Sequence, residues 1–123
     1  MIVLDDQLED ARIQQAIARW YKGTVIYLKD LRPASVIRDD AVPMLLRTIK
    51  QPTFVTLNYI HFWGKIHADE NYCVICMLLP MARKFEVSAL LREVLRLEEY
   101  RTKRQRMGAV VSVRGGGVEE YRA

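Results

Sequence analysis

The sequence predicts an α/β domain with a central, mostly parallel sheet, and three observations carry that expectation. Short apolar runs rich in β-branched and aromatic residues read as strands buried on both faces. Segments with apolar residues at helical spacing alternate with those runs, which is the pattern of helices covering a parallel sheet. The chain has 123 residues, half of them apolar, enough for one core without disulfide or metal staples and for one domain over 1–123.

Ile2-Val3-Leu4 is the first strand, and two aspartates follow it at once. Ile13, Ala16, Ile17 and Trp20 mark one buried helix face, with Gly23 expected as its stop. Thr24-Val25-Ile26-Tyr27 is the second strand, and residues 31–35 are a loop. Asp39-Asp40 opens a helix whose inner face is Val42, Leu45, Leu46 and Ile49. Pro43 is tolerated there because first-turn N–H groups lack intrahelical partners. Thr53-Phe54-Val55-Thr56-Leu57 is the third strand, residues 58–71 a polar connection carrying aromatics, and residues 72–79 the fourth strand. Val87, Leu90, Leu91, Val94 and Leu95 mark another amphipathic helix. Gly115-Gly116-Gly117 between two β-rich runs predicts a C-terminal hairpin; no Lys-Ser/Thr follows, so it lacks the chemistry of a phosphate loop.

Charge is uneven. Residues 1–80 balance nine Lys/Arg against nine Asp/Glu, so residues 81–123 carry the whole net charge of +4. Arg101, Lys103, Arg104 and Arg106 lie within six residues. They read either as the solvated end of a helix or as a grip on an RNA backbone, with Tyr100 able to stack a base. The absence of a long apolar run argues against a membrane partner, and the acidic start argues against a secretory leader. The expectation is cytoplasmic, with Cys73 and Cys76 as free thiols.

In an open parallel sheet, ligands bind beyond the carboxyl ends of the strands. Asp5 and Asp6 follow the first strand, Asn58 and His61 follow the third, and Asp39 and Asp40 begin a helix near that edge. Clustered carboxylates repel unless a cation sits among them, and hard oxygen donors suit Mg²⁺ or Mn²⁺, which can activate water at a phosphodiester. The plainer reading makes Asp39 or Asp40 a helix cap and Asp5 a strand end.

Taken in order, Ile2-Val3-Leu4-Asp5-Asp6-Gln7-Leu8, Val25 onward, Asp39-Asp40-Ala41-Val42 and Phe54-Val55-Thr56-Leu57-Asn58 resemble a family of small PIN-like proteins. His61-Phe62-Trp63, Tyr72-Cys73-Val74-Ile75-Cys76 and residues 101–108 extend the resemblance over most of the chain. It implies a three-layer α/β/α fold and an acidic cluster binding Mg²⁺ or Mn²⁺ for RNA cleavage. It also implies a toxin-like role beside a small antitoxin, and a homodimer. Asp5 is similar to the first metal-ligating acid and Asp39 or Asp40 to the second, with Asp6 completing the shell. Asn58 and His61 stand where further acids are usual, which opens the alternative of a catalytically inactive RNA- or protein-binding module. Asn offers a carbonyl oxygen without charge, and His suits Mn²⁺ better than Mg²⁺.

Cys73 and Cys76, with His61 and His67 upstream, have the residue types of a zinc site. On a strand, however, residues three apart point to opposite faces, so core thiols are the stronger reading. Phe62-Trp63 reads as an aromatic plug at the sheet edge, or alternatively as a protein contact.

Overall fold

In the computed structural model, which describes residues 1–123, six strands form one sheet in the order β2-β1-β3-β4-β5-β6. β1 (Ile2–Leu4), β2 (Val25–Tyr27), β3 (Thr53–Thr56), β4 (Cys73–Met77) and β5 (Ala109–Arg114) run parallel. β6 (Gly117–Arg122) returns antiparallel along β5 through a turn in which Gly116 takes a φ of 91°. The expected α/β class, mostly parallel sheet and terminal hairpin are all present.

Because β1, β3 and β4 are buried on both faces, alternate residues feed two separate cores. Ile2, Leu4, Val55, Ile75 and Val111 face α1 (Ala11–Ala18) and α4 (Val87–Arg96). Val3, Phe54, Val74 and Val110 face α2 (Val42–Arg47) and α3 (Tyr59–Phe62) on the other side. The result is three layers, helices, sheet and helices. No helix is long and apolar enough to cross a membrane.

The placement of α4 is unusual. The chain moves from β1 to β2 in one direction over the α1 face, and from β4 to β5 in the opposite direction over that same face. The β4–α4–β5 connection therefore has the opposite hand to the other crossovers, an arrangement rare between parallel strands. It sets α4 directly against α1.

Several boundaries differ from expectation, each for a physical reason. α1 ends at Ala18 rather than at Gly23, and Trp20 and Tyr21 pack beyond it, half-buried, against the α4-side core. Gly23 serves a close approach: a Cβ there would lie 2.6 Å from the Tyr21 ring. The polar connection 58–71 contains α3, which buries Phe62 edge-on against Phe54 with ring centroids 5.4 Å apart. Trp63 stacks on Tyr59 and tilts over Tyr121, so this aromatic pair plugs the sheet.

The basic segment also departs from expectation. It is not the end of α4 but a separate turn, α5 (Lys103–Arg106), capped reciprocally by Thr102 and Gln105. Arg106 is 3% exposed; its Nε donates to Thr53 Oγ1 at 2.7 Å and its Nη1 to the Tyr100 carbonyl at 3.2 Å. Tyr100 is itself buried and donates to Glu120 at 2.6 Å, so its ring is not free to stack a base. Arg106 is a brace between α5 and the start of β3. Charge-assisted hydrogen bonds of this kind are worth about 1.5–3 kcal/mol each when the partner would otherwise be stranded. Arg106→Ala is expected to cost about 2–4 kcal/mol in urea denaturation, whereas exposed Arg101→Ala and Arg104→Ala stay within about 0.5 kcal/mol. A similar midpoint shift for all three would contradict this role.

Candidate functional site

The strand order reverses between β1 and β3: the chain leaves β1 towards β2 on one side and returns to β3 on the other. The crevice beyond the carboxyl ends of those two strands is the switch point at which open α/β sheets bind ligands. The register Leu4↔Val55 brings Asp5 beside Thr56 at that edge.

Asp5 is 2% exposed, yet its carboxylate is well supplied with donors. The Asp6 N–H reaches Asp5 Oδ1 at 2.8 Å, and the Thr56 hydroxyl reaches Oδ2 at 2.6 Å. Thr56 in turn accepts the Asn58 N–H at 2.9 Å. Burial nevertheless outweighs these bonds and holds the Asp5 carboxyl above the usual carboxylate range. Asp6, on the surface, is also raised, by desolvation first and then by the charges of Glu9 and Asp39. Like-charge pressure between Asp6 and Asp39 means that both acids face one region.

Of the two candidate second acids, Asp39 is the one brought to the third-strand residues. Asn58 Nδ2 donates to Asp39 Oδ2 at 3.2 Å, and His61 Nδ1 lies 2.7 Å from the same oxygen. A carboxylate only accepts, so Nδ1 is the donor in this contact. Asn58 Nδ2 and His61 Nδ1, 3.0 Å apart, are thus two donors converging on one acceptor. Both side chains of the His61–Asp39 pair are well exposed, so it orients more than it stabilises. Asp40 is exposed and stays outside this triad. Asp5, Asp6, Asp39, Asn58 and His61 therefore share one edge, but no three His, Cys, Asp or Glu side chains are gathered closely enough to form a metal cage.

Beside this edge lies a cavity of about 470 Å³ between α2 and the segment after α3. Asp39, Asp40 and His61 share its wall with Arg47, Lys65 and Tyr72. The segment 65–67 is pinned from behind, since Tyr121 donates to the Ile66 carbonyl at 2.6 Å and Tyr72 to the His67 carbonyl. Nothing in the sequence pattern announced this wall, because tyrosine-to-carbonyl bonds across distant segments leave no local signature.

The basic segment is not part of this site. Arg106 binds Thr53, the first residue of β3, so Arg101, Lys103 and Arg104 belong to the amino edge of the sheet, opposite the acids. The segment expected as a grip on an RNA backbone therefore lies away from the acidic edge. Cys73 and Cys76 point into the two different cores, so they do not converge on one metal.

Two outcomes follow from these environments. Burial pushes both thiols up to about 12, so neither is expected to react with a disulfide reagent in the native protein, while both react in urea. Rapid native labelling of one cysteine would show an opening that this packing does not contain. For Asp5, the folded state binds its proton more readily than the unfolded chain, so ionisation costs stability as pH rises through the folded-state value. Asn at this position can accept from the Asp6 N–H and donate to Thr56 Oγ, whose hydroxyl then turns to Gln7 Oε1, 3.3 Å away. Asp5→Asn in metal-free buffer should raise the melting temperature at pH 7, and the gain should vanish below the ordinary value of 3.8. A pH-independent difference would point to packing instead of charge.

Comparison with known proteins adds no relative: no family model matches the chain, no curated protein matches it, and no solved structure matches its fold.

Proposed function

We propose that the chain is a PIN-like, nuclease-type domain that acts on RNA phosphodiesters with a weakly held Mg²⁺ or Mn²⁺, as the toxin-like member of a toxin–antitoxin pair. The observation that carries this reading is the placement of Asp5, Asp6 and the bonded pair Asp39–Asn58 along one edge at the β1/β3 switch point. The donor chemistry is compatible with a hard divalent ion. Asp6 and Asp39 supply charge, the Asn58 carbonyl supplies a neutral oxygen, and Asp5 anchors the floor. Such an ion would lower the acidity barrier of a water and stabilise charge on a phosphodiester.

The protein's own groups set the limits of that chemistry. Asp5 is fixed by Thr56 and by the Asp6 N–H, so its position is rigid but its access is poor. His61 holds Asp39 at 2.7 Å and spends part of that carboxylate's capacity on a protein partner. This spending favours a second reading, a binding module of the same fold that retains RNA or protein contacts without cleavage.

Three measurements separate the two. Under the first reading, Mn²⁺ raises the melting temperature and RNA is cut in its presence. Asp39→Asn then lowers the rate by about 10–100-fold, in line with the loss of a group that holds or orients a metal. Asn58→Asp/His61→Asp restores charge and should increase both Mn²⁺ binding and cutting. If the wild-type protein is inert with every divalent ion and the double variant gains cleavage, the binding-module reading stands. If the double variant neither binds Mn²⁺ nor cuts, the nuclease-type reading fails.

A further inference from the structure

The amino edge of the sheet carries a second crevice that the acid site does not use. Because α4 lies on the α1 face, the chain leaving α1 sets Trp20 and Tyr21 against α4. The Trp20 indole N–H donates to Ser88 Oγ at 3.0 Å, and the two aromatic rings meet edge-on with centroids 6.1 Å apart. Opposite them stand Arg92 and Arg96, one turn apart on α4, together with Arg101 and the buried Arg106. The crevice measures about 270 Å³, and no Asp or Glu lines it.

None of these four arginines takes part in an ion pair with a carboxylate. Arg106, 3% exposed, uses Nε and Nη1 on Thr53 and Tyr100, which leaves Nη2 without a protein partner. Arg92, Arg96 and Arg101 are exposed and unpaired beside Arg106, so four positive charges line this space with no carboxylate among them, an environment that favours an anion. The planar guanidinium fork matches phosphate oxygens two at a time. Aromatic rings beside such a fork are the surfaces on which nucleobases stack. At about 270 Å³ the crevice lies just below the roughly 300–1,000 Å³ usual for ligand sites, which limits its occupant to a single nucleotide unit.

We propose that this crevice binds a nucleotide, its phosphate held by Arg92, Arg96, Arg101 and Arg106 Nη2 and its base resting on Trp20 and Tyr21. The site lies on the sheet edge opposite the acids and needs neither a metal nor cleavage. It therefore stands or falls independently of the nuclease-type reading.

Trp20 provides the readout. The only other tryptophan is Trp63, so in a Trp63→Phe background the indole emission reports on the crevice alone. With EDTA present throughout, the protein is titrated with inorganic phosphate, with uridine monophosphate and with a short single-stranded oligoribonucleotide. Saturable quenching by the nucleotide or the oligomer is expected at concentrations at least roughly tenfold below those needed with inorganic phosphate, because the base adds stacking. Equal affinity for the two identifies free nucleotide as the source, and tighter oligomer binding identifies a strand. Arg92→Glu/Arg96→Glu, both at exposed positions, should weaken binding by about tenfold or more. Lys50→Glu/Arg83→Glu, with the same change in net charge at exposed positions elsewhere, should stay within about twofold. No quenching by nucleotide or oligomer, quenching no tighter than by inorganic phosphate, or equal losses in the two double variants would each overturn the proposal.

Discussion

The hydrogen bond from Thr56 to Asp5 is the contact around which the carboxyl edge is organised. Asp5 has almost no access to water, so its charge must be met by donors from the protein. The β1/β3 register supplies one from Thr56, and the turn after β1 supplies another from the Asp6 N–H. A slip of one residue would put Asp5 opposite Val55 or Leu57 and leave it stranded. The same Thr56 oxygen accepts the Asn58 N–H, which fixes where the chain leaves β3 and so where Asn58 and His61 meet Asp39. One buried acid thus determines the geometry of the residues around it.

Charge is divided between the two ends of the sheet. Acids gather at the carboxyl ends of β1 and β3, and arginines gather at the amino edge around Thr53. A strand of four residues spans about 13 Å, roughly one and a half times a Debye length of about 8 Å at physiological salt. The two fields are therefore largely screened from each other through solvent. A polyanion approaching the protein meets attraction at the amino edge and repulsion at the acids unless a cation neutralises them. This polarity ties any action on RNA at the acidic edge to a bound cation. It leaves nucleotide binding at the arginine crevice free of that requirement.

Much of the fold was legible because it rests on local pattern. Fully apolar runs marked the buried parallel strands, helical spacing at Val42, Leu45, Leu46 and at Val87, Leu91, Val94 marked α2 and α4, and the glycine run marked the hairpin. The acidic edge was legible through the position of Asp5 at a strand end and of Asn58 after β3. The choice of Asp39 over Asp40 was not, since it depends on the pitch of a 3-10 turn relative to α3. The basic segment was read as the solvated end of a helix or a grip on RNA; Arg101, Lys103 and Arg104 are solvated, but the burial of Arg106 was not legible. Only the position of Thr53 in space shows that one of them is buried. The arginine crevice was invisible in sequence, as its residues come from positions 20, 21, 92, 96, 101 and 106 and meet through an uncommon crossover.

That crossover explains the aromatic plug as well. With α4 on the α1 face, the only crossover helix against β4 on the other face is the four-residue α3, and Val74, Cys76 and Val110 still have to be buried there. Phe62, Trp63 and Tyr121 fill the space, and Tyr59 stacks on Trp63 while accepting a hydrogen bond from Arg114 at 2.9 Å. Rings fill volume but offer few hydrogen-bond partners. Ser112, which alternates onto this face between Val111 and Val113, accordingly has a buried hydroxyl with no partner. Tyr121 also donates to the Ile66 carbonyl, and that bond shapes the wall of the cavity beside Asp39 and His61. The hand of one connection thus contributes to both sites: it builds the arginine crevice on one face and leaves the aromatic support of the acidic cavity on the other.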